Sequence, residues 1–170
     1  MVRIQDIIEN KLFQYEGAVP FATMAELALV VGEQSHHAHY HLQLSRSGQF
    51  LLIKGAVDGV LTFPCDRCLE RFDYRQQERF RITLSPAVSQ TLRGDQDLSE
   101  DELEVGIYQG EWLDLLSIME EQILLGLPMK KLCVETCQGI CPQCGRHLNR
   151  QSCTCPPPDN SDHPFFSLQQ

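Results

Sequence analysis

The sequence predicts an α+β fold: an antiparallel β-meander, a long amphipathic helix and a small cysteine-rich lobe. Three observations predict it. Between Ala25 and Phe63, short aliphatic and β-branched runs are separated by punctuation such as "SRSG" and "DG", the pattern of successive strands joined by tight turns. Residues 111–128 then switch to helical spacing. Six of the eight cysteines crowd into residues 133–155. A chain of 170 residues with 42% hydrophobic content can bury one core and carry a small appendage.

Taken in order, "IQDIIENKL" puts Ile4, Ile7, Ile8 and Leu12 at helical spacing and predicts a short amphipathic helix near the start. "LALVVG", "HAHYHLQLS", "QFLLIKGAV" and "GVLTF" predict the strands of the meander. "RFDYRQQERFRITL" alternates: Phe72, Tyr74, Phe80, Ile82 and Leu84 share one parity, and Arg71, Arg75, Arg79 and Arg81 the other. On a strand the two parities face opposite ways, one to the core and one to water. Residues 85–105 are polar, acidic and poor in aromatics, which predicts a mobile loop. In "EWLDLLSIMEEQILLGLP", Leu115, Ile118, Met119, Gln122 and Ile123 follow the helical repeat, with Asp114 as N-cap and Gly126 plus Pro128 as the stop. The predicted division is 1–92 (helix and meander, ending in an Arg-rich strand), 93–110 (acidic loop), 111–155 (helix plus cysteine lobe) and 156–170 (a disordered Pro-rich tail).

No apolar run approaches the roughly 18–20 residues of a membrane span. "MVRIQDIIENKL" lacks the apolar stretch and cleavage site of a secretory signal. These features predict a cytoplasmic protein, whose thiols stay reduced, so clustered cysteines suggest metal or redox chemistry before disulfides. The formal charge of −9 is uneven: residues 94–129 hold ten acids and no Lys or Arg, while the remainder holds thirteen acids against fourteen bases. That balance argues against indiscriminate nucleic-acid binding and leaves room for a local basic face.

Cys141 and Cys144 in "CPQCG" have the spacing of a metal knuckle. Two such thiolates chelate one ion from a tight turn, and the following Gly accepts the positive φ that aims backbone N–H groups at sulfur. Cys153 and Cys155 can complete this site. Cys65 and Cys68 in "PCDRCLE", with Cys133 and Cys137 in "LCVETC", can form a second one and pin the end of the meander to the segment after the long helix. A rival partition joins Cys133, Cys137, Cys141 and Cys144 and leaves Cys65 and Cys68 as a separate dithiol. Spacing does not choose between them; the two-site version is favoured because it accounts for all eight thiols. All-thiolate sets suit closed structural sites, whereas catalytic zinc keeps an open position and mixes in His or carboxylate. The predicted cofactor is therefore structural zinc, two ions, making this segment a small zinc lobe. "CDRC" also has thioredoxin-type spacing, but such pairs open a helix and "LERFDY" continues as a strand. His147 is read as solvent-facing rather than as a substitute ligand.

Two further rows stand out. His37, His39 and His41 share a strand face, where a wet polar surface is a commoner cause than a metal site. Arg67, Arg71, Arg75, Arg79 and Arg81 form the densest basic stretch, interleaved with Glu70, Asp73 and Glu78. They either solvate a sheet face or meet phosphate, for which the guanidinium fork is suited.

"PCDRCLERF", the acidic stretch, "DLLSIMEEQILLGLP" and "CQGICPQCGRHLN" with its following cysteine pair resemble the YceD family, the large ribosomal RNA subunit accumulation proteins, over about residues 25–155. The matching positions are Cys65, Arg67, Cys68, Leu69, Cys137, Gly139, Cys141, Cys144, Gly145, Leu148 and Asn149. The resemblance implies a role in accumulation of large-subunit ribosomal RNA and no enzymatic reaction. The resulting expectation is a zinc-stabilised factor of ribosome biogenesis. It would touch large-subunit rRNA or a pre-ribosomal particle through the Arg-rich strand and the knuckle. Two alternatives stand beside it: a protein-interaction module holding a basic ribosomal protein through acidic residues 94–121, and an oxidoreductase using Cys65 and Cys68. With no P-loop, dinucleotide fingerprint or nucleophile–base pair in the sequence, neither a small-molecule substrate nor a membrane partner is expected.

Overall fold

In the computed structural model, residues 1–31, 36–87 and 105–156 are described. The elements are β1 (Val2–Arg3), β2 (Phe13–Pro20), α1 (Ala25–Val31), β3 (His37–Ser47), β4 (Phe50–Pro64), β5 (Arg71–Pro86), β6 (Val105–Tyr108), β7 (Trp112–Leu113) and α2 (Leu115–Gly126). They fall into two compact units, Met1–Thr62 with Asp73–Pro128, and Phe63–Phe72 with Met129–Gln170. The helix read from sequence together with the cysteine lobe thus belongs to the first unit, and the turn bearing Cys65 and Cys68 to the second.

The first unit is built on a five-stranded sheet in the order β2-β3-β4-β5-β6. β3 runs antiparallel to β2 and to β4, and Gly48, at φ 59°, supplies the tight turn between Ser47 and Phe50. The expected all-antiparallel meander needs a correction at the far edge. β6 pairs parallel with β5, from Thr83↔Val105 to Pro86↔Tyr108; the intervening chain has the length a parallel return requires. β4 also runs unbroken through Asp58–Gly59, so "QFLLIKGAV" and "GVLTF" are one strand and not two.

Alternation sorts the faces. Leu42 and Leu44 of β3 and Leu51, Ile53, Val57 and Leu61 of β4 are buried. α1 adds Leu27 and Val31 to the core, and α2 adds Leu115, Met119 and Ile123. α2 begins where its cap predicts: the Asp114 carboxylate accepts from the backbone N–H groups of Leu116 and Ser117. Its last residue, Gly126, lies so close to Gln76 and Glu78 of β5 that a Cβ would collide with them.

Three local expectations are overturned. Leu27–Val31 of "LALVVG" do not form a strand but lie within α1, whose start is held by Glu120 Oε1 accepting from the N–H groups of Glu26 and Leu27 at 2.6 and 2.8 Å. "IQDIIENKL" is not an amphipathic α-helix. It contributes one 3-10 turn, Ile4–Asp6, after a strand that pairs with β7, and Ile4 and Ile7 are buried while Ile8 and Leu12 stay exposed. Phe13–Pro20, given no element in the sequence reading, forms the edge strand β2. The expected acidic loop and Pro-rich tail lie largely outside the described residues, and the loop's last residues form β6. Among the described residues no helix is long and apolar enough to cross a membrane.

Candidate metal centres and the arginine face

In the second unit the backbone builds the same turn twice. Cys65 N donates to Glu70 O and Leu69 N to Cys65 O, both at 2.9 Å; Cys141 N donates to Arg146 O at 2.8 Å and Gly145 N to Cys141 O at 2.9 Å. In each, the residue after the second cysteine is left-handed, Gly145 at φ 69° and Leu69 at φ 63°. "CDRCLE" therefore folds into the same turn as "CPQCG", with leucine in the glycine position. The sequence reading named Cys65 and Cys68 as ligands but did not read the turn at Leu69, because leucine does not signal positive φ.

The two segments of this unit are clamped together by backbone bonds. Asp66 N donates to Lys131 O at 2.8 Å and Lys131 N to Asp66 Oδ2 at 2.6 Å. Arg67 O accepts from Ile140 N at 3.2 Å, and a Cβ on Gly139 would stand 2.8 Å from the same oxygen. This close approach sorts the thiols into two sets, Cys65, Cys68, Cys133 and Cys137, and Cys141, Cys144, Cys153 and Cys155, with all four sulfurs of each set within 4.8 Å of one another. That is the favoured partition and not its rival.

The spacing fits a chelated ion. Cys65 Sγ lies 3.8 Å from Cys137 Sγ, and Cys68 Sγ 3.7 Å from Cys133 Sγ. Four sulfurs about 2.3 Å from a tetrahedral centre stand about 3.8 Å apart, whereas a disulfide needs about 2.0 Å. All eight cysteines are unbridged. Each set can therefore chelate a metal ion, and soft thiolates select zinc, copper(I) or iron.

Electrostatics within the sets point the same way. Burial pushes Cys65 up, but backbone N–H groups of Cys133, Cys68 and Arg67 outweigh it and hold the thiol at about 6. Backbone N–H groups of Cys144 and Gln143 lower Cys141 to about 6. The Asn149 side chain leads in lowering Cys137. The Glu70 N–H favours the Cys68 thiolate, yet burial and the neighbouring Cys65 raise it overall. Burial, then the adjacent thiols, push Cys133 up to about 12; Cys144, then burial, does the same to Cys155. Cys65, Cys137 and Cys141 ionise readily, whereas burial and neighbouring thiols hold Cys68, Cys133 and Cys155 protonated. A bound cation removes that conflict.

Three side chains support the first set. Arg67 donates to Cys137 O at 2.6 Å. Asn149 Nδ2 donates to Cys137 Sγ at 3.1 Å while its Oδ1 accepts from Gln138 N at 2.6 Å. His147 lies beside Cys68 and Glu70, with Nε2 3.3 Å from Glu70 Oε2. Both ring nitrogens are buried with no aligned hydrogen-bond partner among the described residues, so the imidazole packs into the lobe and does not face solvent.

The arginine row divides. The guanidinium of Arg67 is committed to the cysteine loop, whereas Arg71, Arg75, Arg79 and Arg81 are exposed at alternate positions of β5. Among the described residues none of these four has an ion-pair or hydrogen-bond partner, while Arg3, Arg46, Arg146 and Arg150 are each engaged. Of the interleaved acids, Glu78 has the opposite parity and Glu70 is tied to Arg150 at 2.6 Å. Asp73 accepts from the Thr62 hydroxyl at 2.8 Å. His37, His39 and His41 are exposed along β3, and no metal cluster includes them among the described residues.

Comparison with known proteins adds a process to this geometry. The family model described as "Large ribosomal RNA subunit accumulation protein YceD" matches residues 53–170, the segment holding both cysteine sets and β5. Proteins described as uncharacterized from Mycobacterium bovis and Mycobacterium tuberculosis are 28% identical over 134 residues, 79% of this chain and 62% of theirs. The chain therefore spans under two thirds of the length of these relatives. No solved structure matches it significantly.

Proposed function

Because the chain belongs to the YceD family of large ribosomal RNA subunit accumulation proteins, we propose that it is a zinc-stabilised, non-enzymatic factor of ribosome biogenesis, cytoplasmic, that contacts large-subunit rRNA through the exposed arginines of β5. The family description names an accumulation role and no reaction. One zinc in each four-thiolate set would hold the second unit folded, since binding free energy at a structural site is folding free energy. Zinc held by four thiolates carries a net charge of −2, so the lobe itself offers no attraction to phosphate. The reduced protein, prepared without chelator, should contain about two zinc ions per chain by elemental analysis. A zinc-free preparation of folded protein would end the zinc reading, and one free of every transition metal the metal reading.

The single observation that carries the RNA contact is that Arg71, Arg75, Arg79 and Arg81 have no partner among the described residues, beside five arginines that are engaged. Guanidinium forks repeated along a strand, at about 3.3 Å per residue, meet successive phosphates. Changing all four to Gln should weaken binding to large-subunit rRNA fragments and flatten its salt dependence. Each lost phosphate contact removes about 0.7 from the log–log slope on a single strand. A folded fourfold variant with unchanged affinity and slope would refute this surface. The acidic segment holding a basic ribosomal protein would then take its place; residues 94–104 of that segment lie outside the described structure.

A further inference from the structure

One member of the arginine row, Arg75, and two of the histidine row, His37 and His39, are separate in sequence but line one groove. His39 stands directly opposite Asp58 across the β3–β4 pair. Beside them lies an open groove of about 540 Å³ lined by His36, His37, His39, Asp58, Val60 and Arg75. That volume lies within the range of small-ligand sites, and the walls differ in chemistry. Arg75 offers a fixed, permanently charged fork for a phosphate. The imidazole N–H groups donate to phosphate or base oxygens. Val60 offers an apolar contact to a base. Asp58 is the discriminating group: a carboxylate only accepts, and next to a phosphate it repels. It is matched by a hydrogen-bond donor that travels with the phosphate, and in a nucleic-acid strand the ribose 2′-hydroxyl is that donor.

We propose that this groove is a ribonucleotide subsite, with Arg75 and the histidines on a phosphate and Asp58 accepting from the adjoining 2′-hydroxyl. The proposal rests on the RNA-contact reading of β5. It adds what a row of arginines cannot supply, a preference for RNA over DNA.

The test titrates full-length, metal-loaded protein with a fluorescent single-stranded fragment of large-subunit rRNA and with its all-deoxy copy. The wild type should favour the RNA by roughly tenfold, the order of one hydrogen bond to a charged group. Asp58→Ala, which leaves no acceptor, should bring that ratio close to one while DNA affinity holds or rises, because a repulsive charge has gone; misfolding would lower both affinities together. The double variant His37→Asn, His39→Asn should weaken RNA and DNA alike by several-fold and leave the ratio intact. A wild type that binds neither strand overturns both this proposal and the reading beneath it. A wild type that binds RNA with a salt slope flattened by the fourfold Arg variant, but with no RNA preference or with a ratio unmoved by Asp58→Ala, overturns the groove alone.

Discussion

Lowering the pH by one unit from about 8 should weaken metal binding at the first cysteine set by about a hundredfold or more. In the metal-free set, Cys133 sits at about 12 and Cys68 above its usual 9.0, so both carry protons throughout that range. Cys65, at about 6, is already ionised there. Metal binds thiolate, so each of the two retained protons must leave. The sign follows: protons compete with metal, and affinity falls as pH falls. Each displaced proton contributes a tenfold change per pH unit, or about 1.4 kcal/mol. The second set releases at least the proton on Cys155, likewise at about 12, so its affinity should drop tenfold or more. The measurement is a competition titration of the reduced full-length chain against a chelator of known pH dependence. A weakly buffered solution reports proton release directly, at least three per chain when both sets fill. Affinity independent of pH, or release of fewer than three protons, would mean that these thiolates do not hold the metal as a closed site.

Two substitutions probe the supporting geometry. Leu69→Gly should stabilise the cysteine unit by about 0.5–1 kcal/mol, because Leu69 is left-handed at φ 63° and 65% exposed, so relieved strain outweighs lost burial and added chain entropy; a destabilised variant in thermal melts would contradict this. Asn149→Ala removes the donor to Cys137 Sγ and the acceptor for Gln138 N and should reduce metal affinity at the first set by about 10–100-fold. Equal affinity in the same competition assay would show that Asn149 only shapes the loop.

Several features were decided by residues close together in sequence. Asp114 two and three residues before its N–H donors is a local cap, and α2 begins after it. The strict parity of β5 needs no partner to be read, since alternate side chains of any strand face opposite ways; the arginines emerged on the wet side. "CPQCG" announces its knuckle because glycine alone makes the left-handed turn cheap. Where the deciding atom came from far along the chain, the sequence was ambiguous. "LALVVG" is short and apolar enough for either period, and a carboxylate from Glu120 caps the helix that holds its Leu27–Val31. Ile4 and Ile7 are buried beside a strand pairing with Trp112–Leu113, which no local spacing encodes. The thiols of Cys65 and Cys68 meet Cys133 and Cys137 across more than sixty intervening residues. The types and counts of ligands are sequence properties, but which four share an ion depends on which loops approach. Asp66 bound to Lys131, and Ile140 to Arg67, brings those loops together. Asp58, Arg75 and the histidines likewise share a groove because β3, β4 and β5 are sheet neighbours. Composition and period therefore determined the parts, and long-range backbone pairing decided which parts face one another.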